Sequence, residues 1–254
     1  MIEPVSQIEN TLKVVLYGGA GTGKTTTAAS FPGPILDIDV TEKGTASVSD
    51  VKGLSVLRPQ EWQDVVDAFW YVKSEKKFKT VMIDTVSNLQ DLAIRQILED
   101  AGKDDEESGW GIMTRRQWGQ ASTMMKALLG DFRDLSMNVV FIAHDRVSNA
   151  GEEAEEGMED GQIMPQVGPR LMPSVASWLN AAVGIIGNSF VRERSREVKI
   201  GKKKVVKRQV EYCLRVGPHA YYTTKLRKPK SIVVPAFVTD PTYDRIIAVM
   251  RGEE

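Results

Sequence analysis

The chain has 254 residues, of which 42% are apolar and 26% are charged, and this globular composition excludes a wholly disordered protein. Its 33 basic and 34 acidic residues nearly cancel, so any electrostatic contact with nucleic acid must be local. One cysteine, Cys213, and two histidines exclude an internal disulfide and a cysteine-rich zinc site.

The first half of the chain alternates apolar, strand-like segments with amphipathic, helical ones. Strands are predicted at residues 12–17, 34–39, 54–57, 79–84 and 138–143. Helices are predicted at residues 24–30, from Pro59 through Val72, at 89–98 and at 115–135. Because strands in this rhythm need crossover helices, we predict an α/β fold with a mostly parallel central sheet flanked by helices.

The second half has a different pattern. The sequence predicts a helix at 170–180, an antiparallel hairpin of 190–200 and 205–216 around Gly201, a strand at 232–234 and a helix at 241–251. Residues 102–111 and the acidic segment 148–162 are predicted to be exposed loops, the second one mobile. Since no long linker divides the chain, we predict one domain, 1–254, with a core at 10–190 and a C-terminal hairpin and basic segment at 190–254.

The sequence shows no apolar run of membrane-spanning length and no secretory signal at its start. We therefore expect a cytoplasmic protein that has no membrane partner.

Residues 18–25 match the phosphate-loop pattern GxxxxGK[ST] between a predicted strand and a predicted helix. The glycines let the backbone turn tightly and aim its amide hydrogens into one cavity, to which the helix start adds a positive dipole end. Lys24 is expected to reach the β and γ phosphates, and the Thr25 hydroxyl to reach Mg²⁺. The predicted nucleotide-binding residues are Gly18, Gly19, Ala20, Gly21, Thr22, Gly23, Lys24, Thr25 and Thr26.

Asp84 ends the predicted strand 79–84. The carboxyl ends of parallel strands meet at the edge of the sheet where the phosphate loop lies, so we predict that Asp84 holds Mg²⁺ together with Thr25. The alternative is an aspartate that caps the next helix. Many phosphate-loop ATPases place a glutamate directly after this aspartate, but here Thr85 follows, so the water-activating carboxylate must come from elsewhere.

The segment ILDIDVTEKG, residues 35–44, supplies the candidate carboxylates, because its strand ends at the same edge of the sheet. The arrangement resembles the RecA-like ATPases, in which an Ile-Asp pair is followed by a catalytic glutamate. The resemblance implies Glu42 as the general base. Asp39 is the second candidate because the spacing is one residue longer than in that family, and a surface glutamate without a catalytic role is the alternative.

Five segments are similar to short phage-encoded RecA-like ATPases, known as phage nucleotide-binding proteins or single-strand-annealing recombinases. They read YGGAGTGKTT, ILDID with EKG, TVMIDT, FIAHD and LRVGPHAYYTTKLRKPK, and they span residues 12–230. The resemblance implies a RecA-like fold, ATP with Mg²⁺, DNA-stimulated hydrolysis, and annealing or strand exchange in the cytoplasm of a phage host. It also implies a homo-oligomeric ring or filament and single-stranded DNA as partner, with a single-strand-binding protein as a further candidate partner.

The same resemblance implies three further roles. His144 would sense the γ phosphate, the alternative being a strand-end histidine that is bonded to backbone. Residues 146–168 take the place of a DNA-contacting loop, although they are acidic. Lys228 and Lys230, together with Arg227, would reach the nucleotide of a neighbouring subunit and stabilise charge on the transferred phosphoryl group, the alternative being a solvated basic turn.

The predicted hairpin is strongly basic. Nine basic and two acidic residues lie from Arg192 to Arg208, so this hairpin is predicted to run along a phosphate backbone, the alternative being a solubilising surface. Tyr212, Tyr221 and Tyr222 would then stack on bases or simply pack. The predicted DNA-binding residues are Arg192, Arg194, Lys202, Lys203, Lys204, Lys207 and Arg208.

Two other functions remain open on the sequence. One is a regulatory or loader phosphate-loop ATPase that acts on a protein partner. The other is a small-molecule kinase, although no compact arginine-rich lid follows the predicted magnesium strand.

Overall fold

A computed structural model of the chain describes residues 11–102, 112–148, 165–200 and 203–253, with side chains described outside 196–200 and 203–207. Nearly all of the predicted loop 102–111, and residues 149–162 of the predicted acidic loop, lie outside these residues. No helix in the described ranges is long and apolar enough to cross a membrane.

The described residues form eleven strands and six α-helices. The strands are β1 Lys13–Tyr17, β2 Ile35–Asp39, β3 Leu54–Leu57, β4 Thr80–Asp84, β5 Asn138–Ala143, β6 Asp145–Ser148, β7 Gln166–Pro169, β8 Ile185–Ile200, β9 Lys203–Arg215, β10 Lys225–Leu226 and β11 Phe237–Thr239. The helices are α1 Lys24–Ala29, α2 Trp62–Glu75, α3 Val86–Asp100, α4 Arg115–Arg133, α5 Pro173–Ala182 and α6 Tyr243–Arg251, with a short 3₁₀ helix at Gly44–Val48.

The main sheet follows the order β11-β9-β8-β1-β5-β4-β2-β3, with β10 paired to β8. Every pair from β3 to β8 along this order is parallel, and the pairs that involve β9, β10 and β11 are antiparallel. The predicted fold class, a mostly parallel α/β sheet with an antiparallel C-terminal hairpin, is confirmed. β5 separates β1 from β4, so the strand before the phosphate loop and the strand that ends in Asp84 are next-nearest neighbours.

Apolar side chains cover both faces of this sheet. On one face, residues of β1, β2, β4 and β5 pack with α2, α3, α4 and α5, for example Val81 with Phe69 and Leu129 in one buried cluster. On the other face Met82 and Val140 lie in a second cluster with residues of α1 and α6. The central strands therefore read as continuous apolar runs, because parallel strands are buried on both sides.

Threonines fix the starts of three helices. Thr85, Thr114 and Thr242 each accept a hydrogen bond at the side chain from the backbone N–H three residues later. Thr85 thus starts α3 immediately after Asp84, which excludes the sequence alternative that Asp84 itself is the helix cap.

The hairpin of β8 and β9 extends past the carboxyl edge of the sheet. β1 pairs with β8 only from Val14↔Ile185 to Tyr17↔Asn188, whereas β8 pairs with β9 up to Ile200↔Lys203. The arm beyond Asn188 therefore projects over the side of the sheet on which the phosphate loop lies.

Three predicted elements were placed wrongly. The helix predicted from Pro59 begins only at Trp62, with Glu61 as its N-cap. Residues 232–234 were predicted as a strand but lie in irregular structure, and the edge strand is Phe237–Thr239, paired with β9. Pro235 lacks the N–H that a ladder requires, which separates the apolar run from the sheet. The helix predicted at 170–180 begins only at Pro173, because proline favours the first helical position. Residues 166–169, which precede the predicted helix, form β7 and pair with β6.

Candidate nucleotide-binding site

The phosphate loop connects β1 to α1 and holds Lys24 in its interior. The Lys24 ammonium donates hydrogen bonds to the carbonyl oxygens of Gly18 at 2.9 Å and Gly19 at 2.8 Å. Burial lowers the pKa of Lys24, while the charges of Asp84 and Glu42 act in the opposite direction. The ammonium therefore lies where it can exchange its hydrogen bonds to the loop carbonyls for hydrogen bonds to phosphate oxygens.

Two glycines of the loop are required by the close approach of other strands. Gly18 has φ 151°, and a Cβ there would lie 2.2 Å from the carbonyl oxygen of Ser189 in β8. Gly23 has φ 83°, and a Cβ there would lie 3.2 Å from Cδ1 of Tyr212 in β9. The left-handed backbone and the short distances both favour glycine, and they show that the C-terminal hairpin packs directly on the loop.

Thr25 and Asp84 meet at the carboxyl edge of the sheet. The Thr25 hydroxyl donates to Oδ2 of Asp84 at 2.6 Å. Burial raises the pKa of Asp84, and the hydrogen bond from Thr25 opposes that shift. A hydroxyl and a carboxylate beside a phosphate loop fit Mg²⁺, which prefers oxygen ligands and takes one or two from protein, the rest from phosphate and water. Across the described residues no group of three His, Cys, Asp or Glu side chains forms a separate metal site.

Glu42 lies beside this pair in a network of hydrogen bonds. Its Oε1 accepts from Nδ2 of Asn88 at 2.8 Å and lies 2.8 Å from Nε2 of His144. Asn88 also donates to the Thr41 hydroxyl, and the backbone N–H of His144 donates to the hydroxyl of Ser87. The predicted base Glu42 and the predicted phosphate sensor His144 are thus in direct contact, although they are 102 positions apart.

Asp39, the second candidate base, has other partners. Its Oδ1 accepts from the backbone N–H of Lys43 at 2.9 Å, and its Oδ2 is 3.3 Å from Nε of Arg58. These contacts fix the turn that carries Glu42 and pair the buried charge of Asp39 with a guanidinium. The geometry therefore favours Glu42 over Asp39 as the carboxylate that meets a water.

Asp37 is buried in β2, two residues before Asp39. Its side chain is 1% exposed, and Oδ1 meets no hydrogen-bond donor in the described part of the chain. Burial, together with the negative charges of Asp84 and Asp39, raises the pKa of Asp37 to about 8.

Replacing Asp37 with asparagine is expected to stabilise the folded protein increasingly as the pH rises from 5 to 8. The ordinary pKa of an aspartate, 3.8, applies to Asp37 in the unfolded chain, and its pKa in the fold is about 8. The folded state therefore keeps a proton that the unfolded chain releases. Below about pH 4, Asp37 does not reduce the free energy of unfolding. As the pH rises towards 8, Asp37 lowers that free energy by about 1.4 kcal/mol per pH unit. Urea unfolding of both proteins measures this, and a difference that stays constant with pH would contradict it.

The loop opens into a cavity of about 610 Å³, a usual size for a small-molecule site. Its floor is the phosphate loop with Asp84, Glu42 and His144. The further lining residues, which the sequence did not assign to this cavity, are Thr27, Gly44, Ser47, Thr85, Tyr212, Asp240, Pro241 and Thr242. The 44%-exposed ring of Tyr212 belongs to this wall rather than to a remote surface.

Lys228 and Lys230 lie away from this cavity in their own chain. Arg227 and Lys228 line a second cavity of about 850 Å³ with Lys13 and Tyr243. The Lys228 ammonium donates to the carbonyl of Ile232, and the Arg227 guanidinium donates to Ala181 at the C-terminus of α5. Their role at a neighbouring subunit's nucleotide stays a prediction.

Two of the predicted DNA-binding arginines form ion pairs within the hairpin. Arg192 donates to Oε2 of Glu211 at 2.7 Å, and Arg194 lies 3.6 Å from its Oε1. The hydrogen bond from Arg192 holds the pKa of Glu211 below its usual value. Arg208 is exposed, and the side chains of Lys202, Lys203, Lys204 and Lys207 lie outside the described residues.

The other predicted nucleic-acid contacts have packing partners. Tyr222 packs against the guanidinium of Arg215, 4.1 Å from its ring centre, and Tyr221 contacts His219. In the predicted DNA loop 146–168, the ends form the β6–β7 pair and residues 149–164 lie outside the described chain.

The sequence matches the profile of the AAA domain family AAA_24 over residues 10–227. The chain belongs to this AAA domain family. Among solved structures, the flagellar accessory protein FlaH from Methanocaldococcus jannaschii is similar, with 10% identity, a TM-score of 0.37, and coverage of 90% of this chain and 89% of that one. No curated protein sequence matches the chain.

Membership of the AAA domain family agrees with the geometry of the loop. AAA domains are phosphate-loop ATPase domains that generally bind ATP with Mg²⁺. In this chain the loop contains the buried Lys24, and Thr25 contacts Asp84 beside it.

Proposed function

We propose that this AAA domain protein binds and hydrolyses ATP with Mg²⁺. The observation that carries the proposal is the contact between Thr25 and Asp84, 59 positions apart, directly beside the buried Lys24. Lys24 binds the β and γ phosphates, and Thr25 and Asp84 hold the ion. Bound Mg²⁺ supplies positive charge against the phosphate oxygens.

Glu42 acts as the general base in this proposal. In the described residues both hydrogen bonds of its carboxylate fall on Oε1, so Oε2 is the oxygen that meets the attacking water. The water oxygen forms a bond to the γ phosphorus, its proton passes to Glu42, and the bond to the β-phosphate oxygen breaks, releasing ADP and phosphate. Asn88 and His144 orient the carboxylate for this transfer.

We further propose that the protein acts on single-stranded DNA, in phage recombination by annealing or strand exchange, as a homo-oligomer. The support is the basic composition of the hairpin and its position, since β9 carries Tyr212 in the nucleotide cavity and continues into the basic arm. The resemblance of five segments to phage RecA-like ATPases supports the recombination role and a phage origin. Lys228 and Lys230, remote from the cavity of their own chain, suit delivery to a neighbouring one.

A protein partner is the second candidate. Glu211 neutralises Arg192 at the root of the hairpin, which lowers the positive charge available to a phosphate backbone there. That pairing favours a loader or regulatory ATPase, in which the hairpin binds a protein partner without relying on positive charge at its root. The two functions differ in whether single-stranded DNA stimulates hydrolysis.

Single-stranded DNA is expected to stimulate ATP hydrolysis, and changing Lys202, Lys203 and Lys204 together to alanine is expected to weaken DNA binding. Three lost phosphate contacts lower the slope of log affinity against log salt by about 2 for a single strand. The control changes Lys52, Lys79 and Lys126 to alanine, which removes the same charge elsewhere. Hydrolysis that DNA does not stimulate would favour the protein partner, and equal salt slopes would exclude the hairpin as a phosphate contact.

A further inference from the structure

We infer that Tyr212, Asp240, Pro241 and Thr242 form the subsite for the nucleobase, and that this subsite takes a purine. The inference rests on the proposed nucleotide function and assigns the residues that select its base. Tyr212 stacks on the base, and the turn from Asp240 to Thr242 closes its other side.

Tyr212 is fixed next to the phosphate loop by the register of the hairpin. It pairs with Val191 across β8 and β9, and its Cδ1 lies 3.2 Å from the position of a Cβ on Gly23. Tyr212 nevertheless remains 44% exposed and lines the cavity. A half-exposed aromatic ring in the wall of this cavity offers a flat apolar face, which is what a base requires for stacking.

The second wall is attached to Tyr212 and to the end of α1. The N–H of Asp240 donates to the carbonyl of Tyr212 at 2.7 Å, which extends the β9–β11 pairing by one residue. Tyr243, which follows Thr242, donates its N–H to the hydroxyl of Ser30 at 2.8 Å. The subsite is therefore part of the same framework as the phosphate loop and its helix.

The position of the phosphate loop fixes the direction in which a nucleotide lies. Lys24 lines the cavity together with the phosphate loop, and Asp240 lines it beside Tyr212, outside that loop. The triphosphate binds Lys24 and the backbone amides of the loop, so the base contacts the part of the wall that Tyr212 and Asp240 form. There the carboxylate accepts hydrogen bonds from N–H groups of the base, and the larger ring system of a purine stacks more fully on Tyr212.

The phosphate and base contributions are separated with two probes, Mg-ATP and Mg-tripolyphosphate, which has no base. Titration calorimetry of the full chain is expected to show that Tyr212→Ala weakens ATP binding by about 10- to 100-fold, the range of one lost stacking contact. The affinity for tripolyphosphate stays unchanged. Tyr212→Phe keeps the stacking face and is expected to bind ATP within about threefold of the unaltered protein.

Tyr71→Ala is the matched control, because Tyr71 is also 44% exposed but lies on α2 outside the cavity. Unchanged ATP affinity in Tyr212→Ala would overturn the subsite. An equal loss of ATP and tripolyphosphate affinity would also overturn it, since it would show that Tyr212 only supports the phosphate loop. If the unaltered protein binds neither probe, the proposed nucleotide function itself fails, which is a different outcome from a failed subsite.

Discussion

Changing Lys24 to alanine is expected to abolish tight binding of Mg-ATP. The substitution removes the one ammonium that lies within the phosphate loop, bonded to the Gly18 and Gly19 carbonyls. Charge-assisted hydrogen bonds to phosphate in a partly buried site are worth several kcal/mol together, so the affinity should fall by about 100-fold or more. Calorimetric titration with Mg-ATP, after thermal unfolding has shown an intact fold, measures the loss.

Lys52→Ala is the control for this change. Lys52 is exposed and outside the cavity, so its loss alters net charge equally without touching the loop. Equal ATP affinity in Lys24→Ala and the unaltered chain would remove the phosphate loop from the proposed function. Equal weakening in both variants would attribute the effect to net charge.

The contact of Thr25 with Asp84 was predictable from the sequence because both the motif and the strand order follow general rules. A phosphate loop requires a strand before it and a helix after it, and buried parallel strands end at one edge of the sheet. Asp84 ends such a strand, and Glu42 and His144 each follow another one, so their convergence follows from fold class alone. Their hydrogen bonds add what the sequence left open, since Asp39 is paired with Arg58 and Glu42 is not.

The wall of the cavity opposite the loop was not predictable in the same way. Tyr212 and Asp240 reach the cavity through the pairing of β9 with β8 and β11, which are antiparallel strands with no motif. The apolar run 232–234 gave a strand-like pattern, yet the pairing strand starts at Phe237. Sequence spacing cannot fix such a register, because one residue of slip exchanges the two faces of a strand.

One strand joins the two halves of the proposed function. β9 contributes Tyr212 to the nucleotide cavity and, from Arg208 towards its start, forms one arm of the basic hairpin. A nucleotide stacked on Tyr212 contacts the same strand that would contact DNA. If bound nucleotide changes the affinity of the hairpin for DNA, bound DNA changes the affinity for nucleotide by the same factor, because coupling between two binding sites acts equally in both directions.

Changing Glu42 to glutamine is expected to leave ATP binding intact and to slow hydrolysis by about 100-fold or more, the usual contribution of a general base. Glutamine keeps an oxygen that accepts the hydrogen bonds of Asn88 and His144, so the turn retains its geometry. What is lost is the carboxylate basicity that takes the proton of the attacking water. Single-turnover release of phosphate from pre-bound Mg-ATP measures the chemical step apart from product release.

Asp39→Asn distinguishes the two candidate carboxylates. It removes the ion pair with Arg58 but keeps the contacts of Glu42. It is therefore expected to lower the free energy of unfolding and to leave the rate of the chemical step nearly unchanged. A variant pair in which Asp39→Asn loses turnover and Glu42→Gln retains it would move the base to Asp39. If both retain turnover, the proton passes to another group, and the contact of Glu42 with His144 serves to hold the turn rather than to activate water.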